Sequence, residues 1–157
     1  MTEDPPGRLE QLSDLNRRFE QAVPHNRALG LRLLALDDAR ATLLLPYDLR
    51  LVGNPETGVL HGGAISAAMD AACGTAVFQA LPRPMIIATL DLRIDYHKPA
   101  TPHRDVTIRC HCYKVTRSVA FVRGVAYHDD EADPIASGTG SFMLGTRARA
   151  RAPGTEP

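Results

Sequence analysis

One charged side chain stands between Glu56 and Arg83, and it is Asp70. A carboxylate can take a proton from water or attack an electrophilic carbon itself. His61 is the only other group in that interval that titrates near neutral pH. Gly62 and Gly63 follow it directly. Without side chains they let a ligand approach the backbone closely. At the start of a helix their N–H groups lie unpaired at the positive end of the dipole. Such donors suit a carbonyl oxygen that gains negative charge. Carboxylate and amides together could add water to an activated carbonyl. Each feature also has a structural explanation: a buried Asp bonded to amides or a hydroxyl, and a tight turn entering a helix.

The residues that must hold this chemistry form a helix. It runs from Gly62 or Gly63 to about Leu81 and ends before Pro82. Ala64, Ile65, Ala67, Ala68, Met69 and Ala71 make it apolar almost all round, which predicts burial. Asp70 would lose hydration there, at a large cost unless it is paired or protonated. Upstream, Leu9, Leu12, Leu15, Phe19 and Val23 recur at helical steps. They predict an amphipathic helix over 8–23, closed by Pro24. Residues 29–36 and 39–45 read as strands around a turn at Asp37-Asp38, and 46–60 as a loop.

Downstream, Ala88, Leu90, Leu92, Ile94 and Tyr96 alternate with Thr89, Asp91, Arg93, Asp95 and His97. That period of two predicts a half-buried strand over 88–97. Further strands are predicted at 104–116, 118–128 and 134–144. Residues 1–7 read as a loose terminus, and the Arg/Ala-rich tail from 147 onward as mobile. Helix, two strands, long helix, four strands predicts an α+β arrangement, one antiparallel sheet with a helix packed on it.

A length of 157 residues fits one domain. The 18 basic residues balance 18 acidic ones, so net charge favours neither a nucleic-acid nor a membrane-surface partner. No apolar run is long enough to span a bilayer, and the polar, acidic start does not read as a secretory signal. These features predict a cytoplasmic protein. Cys73, Cys110 and Cys112 are an odd set, read as free thiols in a reducing compartment. On a strand Cys110 and Cys112 share one face while His111 points away, and no second pair stands at zinc spacing. No metal is expected.

Asn54, Gly58, His61-Gly62-Gly63 and Asp70, nine residues after the His, form a pattern. It resembles the PaaI-type branch of the hotdog thioesterase superfamily. The stretch Thr89 to Ala100 resembles that family's strand after the central helix, and the likeness covers roughly residues 28–145. The interval from Asn54 to His61 is one residue longer than in the shorter family version. The resemblance divides the chain into an N-terminal tail and helix (1–27), a hotdog thioesterase domain (28–145) and a basic tail (146–157). It implies an antiparallel sheet wrapped around a long central helix, acyl-CoA substrates carrying small or medium acyl or aryl-acyl groups, and no cofactor. It implies Gly62 as oxyanion donor, Asp70 as the group that activates or orients water, and Asn54 as a residue that positions thioester or water. Thr89 matches the assisting hydroxyl, Gly63 lies beside the substrate, and His61 either takes part or orders the loop.

Gly62 and Asp70 are eight residues apart, about 12 Å of axial rise on one helix. A general base acts over about 3 Å, or through one water. Two antiparallel helices at a two-fold interface would bring Asp70 of one chain beside Gly62 of the other. The resemblance implies the same homodimer with shared sites, and a tetramer is open.

Two other functions fit the same fold. A hotdog hydratase or dehydratase would use a His paired with an acid in a different motif, and would hydrate crotonyl-CoA without releasing thiol. A non-catalytic acyl-CoA-binding domain would bind without releasing thiol. No Gly-x-Ser-x-Gly elbow supports a serine hydrolase.

Overall fold

A computed structural model describes residues 8–145. The loose terminus and the mobile tail expected from sequence lie outside these residues, as do the side chains of Leu9 and Leu12.

Alternation builds the sheet. In β6 (Val106–Val115), Val106, Ile108, Cys110 and Cys112 are buried while the residues between them face outward. β7 (Val119–Tyr127) and β8 (Ala136–Leu144) repeat the period, as does β2 (Arg40–Leu45). With β1 (Arg32–Asp37) and β5 (Ile87–Tyr96) they form one antiparallel sheet in the order β1-β2-β6-β7-β8-β5. The helix α3 (Gly62–Ala80) lies against this sheet, and Ala68, Met69, Ala72, Cys73, Ala76 and Val77 are fully buried at the interface. Gly124 makes the close approach possible. A Cβ there would stand 2.4 Å from the Cys110 Sγ and 2.8 Å from the Met69 Sδ. The α+β sheet around a central helix is therefore as predicted, and Cys110 and Cys112 share one face of β6, which is the buried one.

Four details differ from the sequence expectation. Pro24 ends α1 (Arg8–Ala22) but also starts a short helix, α2 (Pro24–Ala28), because its fixed φ suits a first helical position. The loop over 46–60 contains a 3-10 turn at Leu49–Leu51 and a small hairpin, β3 (Val52–Asn54) with β4 (Val59–Leu60). The alternation in β5 breaks at a bulge between Thr89 and Asp91, leaving Leu90 52% exposed. β5 is an edge strand, so only part of its apolar face finds cover. Finally, α3 is not buried all round. Ser66, Ala67, Asp70, Ala71, Gly74 and Thr75 form a stripe that the sheet leaves half-covered.

α1 is fastened to the edge of the sheet. The Asn16 side chain donates to the Leu33 carbonyl at 3.0 Å and accepts from the Leu33 N–H at 2.7 Å, standing in for a neighbouring strand. Among the described residues no helix is long and apolar enough to cross a membrane.

The buried thiols are packing groups. Cys73 and Cys110 stand 3.1 Å apart at Sγ. The hydrogen bond to Cys73 and then burial push the Cys110 thiol well above its ordinary range. We expect no alkylation of Cys110 by iodoacetamide at neutral pH until denaturant is added, checked by mass spectrometry of the labelled peptide.

Candidate active site

The first turn of α3 is shaped by His61. His61 is the N-cap, in extended conformation, and its Nδ1 accepts the Gly63 N–H at 2.9 Å. The Ala64 N–H goes to the His61 carbonyl at 3.0 Å. Among the described residues nothing accepts the Gly62 N–H, so it is the open donor at this helix end. A Cβ at position 63 would meet His61 Nδ1 at 2.8 Å, so any other residue there would displace the ring that caps the turn.

Tyr96 holds this turn from the sheet edge. Its hydroxyl donates to the Gly62 carbonyl at 2.6 Å and lies 2.7 Å from the Ser66 hydroxyl, which then donates to Tyr96. Sequence reasoning placed Tyr96 in the core face of its strand and gave it no role. A tyrosine at the strand end opposite Thr89 was a usable signal only once the register of β5 against α3 was known.

Asp70 lies two turns along the helix and is half-buried. Thr89 donates its hydroxyl to Asp70 Oδ1 at 2.8 Å. This pairing brings together two residues 19 apart in sequence and fixes the rotamer of the carboxylate. Both line a largely apolar cavity of ≈ 710 Å³, bounded by α3, β5 and, from the other side, α1. A second cavity of ≈ 440 Å³ is lined by His61, Gly63, Leu51, Val52 and Arg50. The two share Ala67 and His25 along their walls.

The predicted residues thus separate into two groups within one chain. Asp70 and Thr89 form one, and His61, Gly62 and Gly63 the other. Asn54 belongs to neither. Its Oδ1 accepts the Glu56 N–H at 3.0 Å, its carbonyl accepts the Gly58 N–H at 2.8 Å, and its exposed side chain lines neither cavity. In this chain Asn54 shapes the β3–β4 turn.

The model of the thioesterase superfamily matches residues 57–135, the span that runs from the turn before His61 through the last-but-one strand. The chain belongs to the thioesterase superfamily. It is a thioester hydrolase of hotdog fold in the PaaI-like branch. It is 33% identical over 149 residues to the medium/long-chain acyl-CoA thioesterase YigI of Salmonella typhimurium, covering 87% of this chain and 95% of that one. A Pseudomonas aeruginosa protein of known crystal structure is 50% identical, with a TM-score of 0.75 over 84% of this chain and 98% of that one. A mutant of the phenylacetic acid degradation protein PaaI from Thermus thermophilus is 25% identical, with a TM-score of 0.67 over 77% of this chain and 98% of that one.

Two measurements separate structural from chemical roles at this thioesterase's helix end. His61→Asn keeps a capping side chain, whereas His61→Ala removes it. The Ala variant should lose about 1 kcal/mol of stability, read as a melting temperature lower by about 2–4 °C, and the Asn variant should lose far less. Equal turnover in His61→Asn and wild type would confine His61 to ordering the turn. Tyr96→Phe removes the bonds to Gly62 and Ser66 and should lower kcat about fivefold with little change in KM, measured by steady-state thiol release.

Proposed function

We propose that this protein is a cytoplasmic acyl-CoA thioesterase that works as a homodimer, each site combining Gly62 of one chain with Asp70 of its partner. The observation that carries the proposal is the state of the two groups. Gly62 offers an unused N–H at a helix start, and Asp70 is held by Thr89 on the wall of an apolar cavity. They sit about 12 Å apart along their own helix, too far to act on one carbon. The open edge of β5 leaves room for a second chain to close that gap.

In the proposed reaction the thioester carbonyl oxygen accepts the Gly62 N–H, which stabilises the charge that develops as water adds. Asp70 takes the proton of that water. Thr89 donates to one carboxylate oxygen and aims the other at the water. Carbon–sulfur cleavage then releases CoA as a thiolate, a good leaving group that takes up the proton, and the free acid remains. Gly63 lines the substrate path beside His61. Asn54 acts by shaping the turn that precedes them.

The Salmonella relative is named for medium- and long-chain acyl-CoA. A cavity of ≈ 710 Å³ with apolar walls favours medium chains here too, since a short acyl group would leave most of that surface wet. Thiol release from a panel of acyl-CoA esters tests the activity. Binding without thiol release across the whole panel would overturn the acyl-CoA assignment. Attack by the carboxylate in place of the base role would put oxygen-18 into Asp70 during a single turnover in labelled water.

A further inference from the structure

The helix α1 lies outside the part of the chain that the family pattern covers, yet it walls the cavity that holds Asp70. Leu15, Phe19 and Ala22 face the cavity from α1, at steps of four and three, and Val23 joins them just beyond its end. Ala67, Ala71, Gly74, Thr75 and Phe78 face it from α3 at the same helical period. Two helical stripes therefore oppose each other across open space. Packed helices ordinarily approach to about 8–10 Å, which leaves no such volume. Here one stripe is bulky and the other is built of small residues. α1 is held at its post by the Asn16 clasp on Leu33. Leu15 keeps 38% of its surface exposed although it belongs to the apolar stripe of α1, and Val23, just beyond the helix, keeps 44%.

We propose that α1 is the roof of the acyl-chain channel, and that Phe19 and Leu15 set the length of chain the enzyme accepts. The proposal rests on Asp70 and Thr89 marking the end of the channel where the thioester is cleaved. From Asp70 the cavity continues along α3 to Phe78, eight residues or about 12 Å. An extended chain advances about 1.2 Å per bond, so this span takes about ten carbons. Each methylene that enters leaves water for apolar walls. Phe142, 2% exposed, and Leu33, 4% exposed, line its deep side. Phe19 lines the channel from the roof, so a larger side chain at that position takes up part of the volume while Asp70 and Thr89 stay in place.

The test uses the full chain and two readouts. In the first, S-alkyl-CoA thioethers from butyl to hexadecyl, which cannot be hydrolysed, are titrated calorimetrically into Asp70→Asn protein. Affinity should rise about fourfold per methylene, the ~0.8 kcal/mol of one buried CH₂, up to about ten carbons and then level off. In the second, thiol release is profiled over the same chain lengths for wild type, Phe19→Trp and Leu15→Ala. Phe19→Trp should cut kcat/KM for decanoyl-CoA at least tenfold and leave butyryl-CoA within twofold. Leu15→Ala should move the optimum to longer chains.

Profiles that keep their shape in both variants overturn the proposal. So does an unchanged profile accompanied by a shifted monomer–dimer equilibrium in Phe19→Trp, which would mean that a second copy covers the stripe. Failure of the underlying site is separate: it shows as full hydrolysis by Asp70→Asn, whatever the chain-length profile does.

Discussion

Asp70→Asn is expected to stay folded, to bind acyl-CoA and to lose about 10²–10⁴-fold in kcat, the range typical for removing a general base. The substitution conserves shape, and the amide oxygen of Asn can still accept the Thr89 hydroxyl that now goes to Asp70 Oδ1. Asp70 is half-buried on the open stripe of α3, so no large core volume changes. What the amide lacks is basicity. Water at the thioester would then lose its proton acceptor while the Gly62 N–H continues to polarise the carbonyl. KM should therefore change little. Stopped-flow thiol release with wild type alongside, circular dichroism for folding and thioether titration for binding make the comparison. Hydrolysis as fast as wild type would make Asp70 a structural residue and remove the centre of the proposed mechanism. Thr89→Val should give a smaller loss, because it frees the rotamer of the carboxylate without removing its charge.

Gly62→Pro is expected to cost about 10²–10³-fold in kcat, in line with loss of one oxyanion donor. Proline removes the single N–H in question and little else. Gly62 is the first residue of α3, a position where proline is favoured. His61 before it has φ −64° and ψ 133°, the extended conformation that a following proline demands. The added Cβ meets the Tyr96 hydroxyl at 3.2 Å, so Tyr96 must give by a few tenths of an ångström. Mixing this variant with Asp70→Asn then tests where the two groups meet. In a dimer with shared sites, each mixed pair holds one site with an intact Gly62 and an intact Asp70. Random exchange makes about half the dimers mixed, so about a quarter of wild-type activity should return. A site contained within one chain would show no recovery beyond the two parents. Dilution offers an independent check, since specific activity should fall as dimers dissociate.

Much of this molecule was legible before any coordinates. The alternation of β6, β7 and β8 and the apolar run of α3 depend on local periods of two and 3.6, which sequence carries directly. The isolation of Asp70 among apolar residues and the His-Gly-Gly turn marked the site for the same reason: both are local. Other features needed contacts between distant segments. β5 alternates cleanly in sequence, yet a bulge at Leu90 and the position of the strand at the sheet edge leave its apolar face partly open. The apolar composition of α3 suggested burial all round, and the sheet covers only part of it.

Residue types and spacing by themselves determined the sheet, the central helix, a pair of glycine amides at one end of that helix and a carboxylate about 12 Å further along it. Only the tertiary structure decided what those groups touch. It gave the Gly63 amide to His61 and left that of Gly62 open, because an N-cap side chain reaches only the donors its rotamer allows. It joined Asp70 to Thr89, tied Gly62 to Tyr96, and took Asn54 into a turn of its own. It also made α1 a wall of the cavity. The Asp70–Thr89 and Gly62–Tyr96 pairings join residues 19 and 34 apart, and they follow from how the sheet curls around the helix and not from any local period.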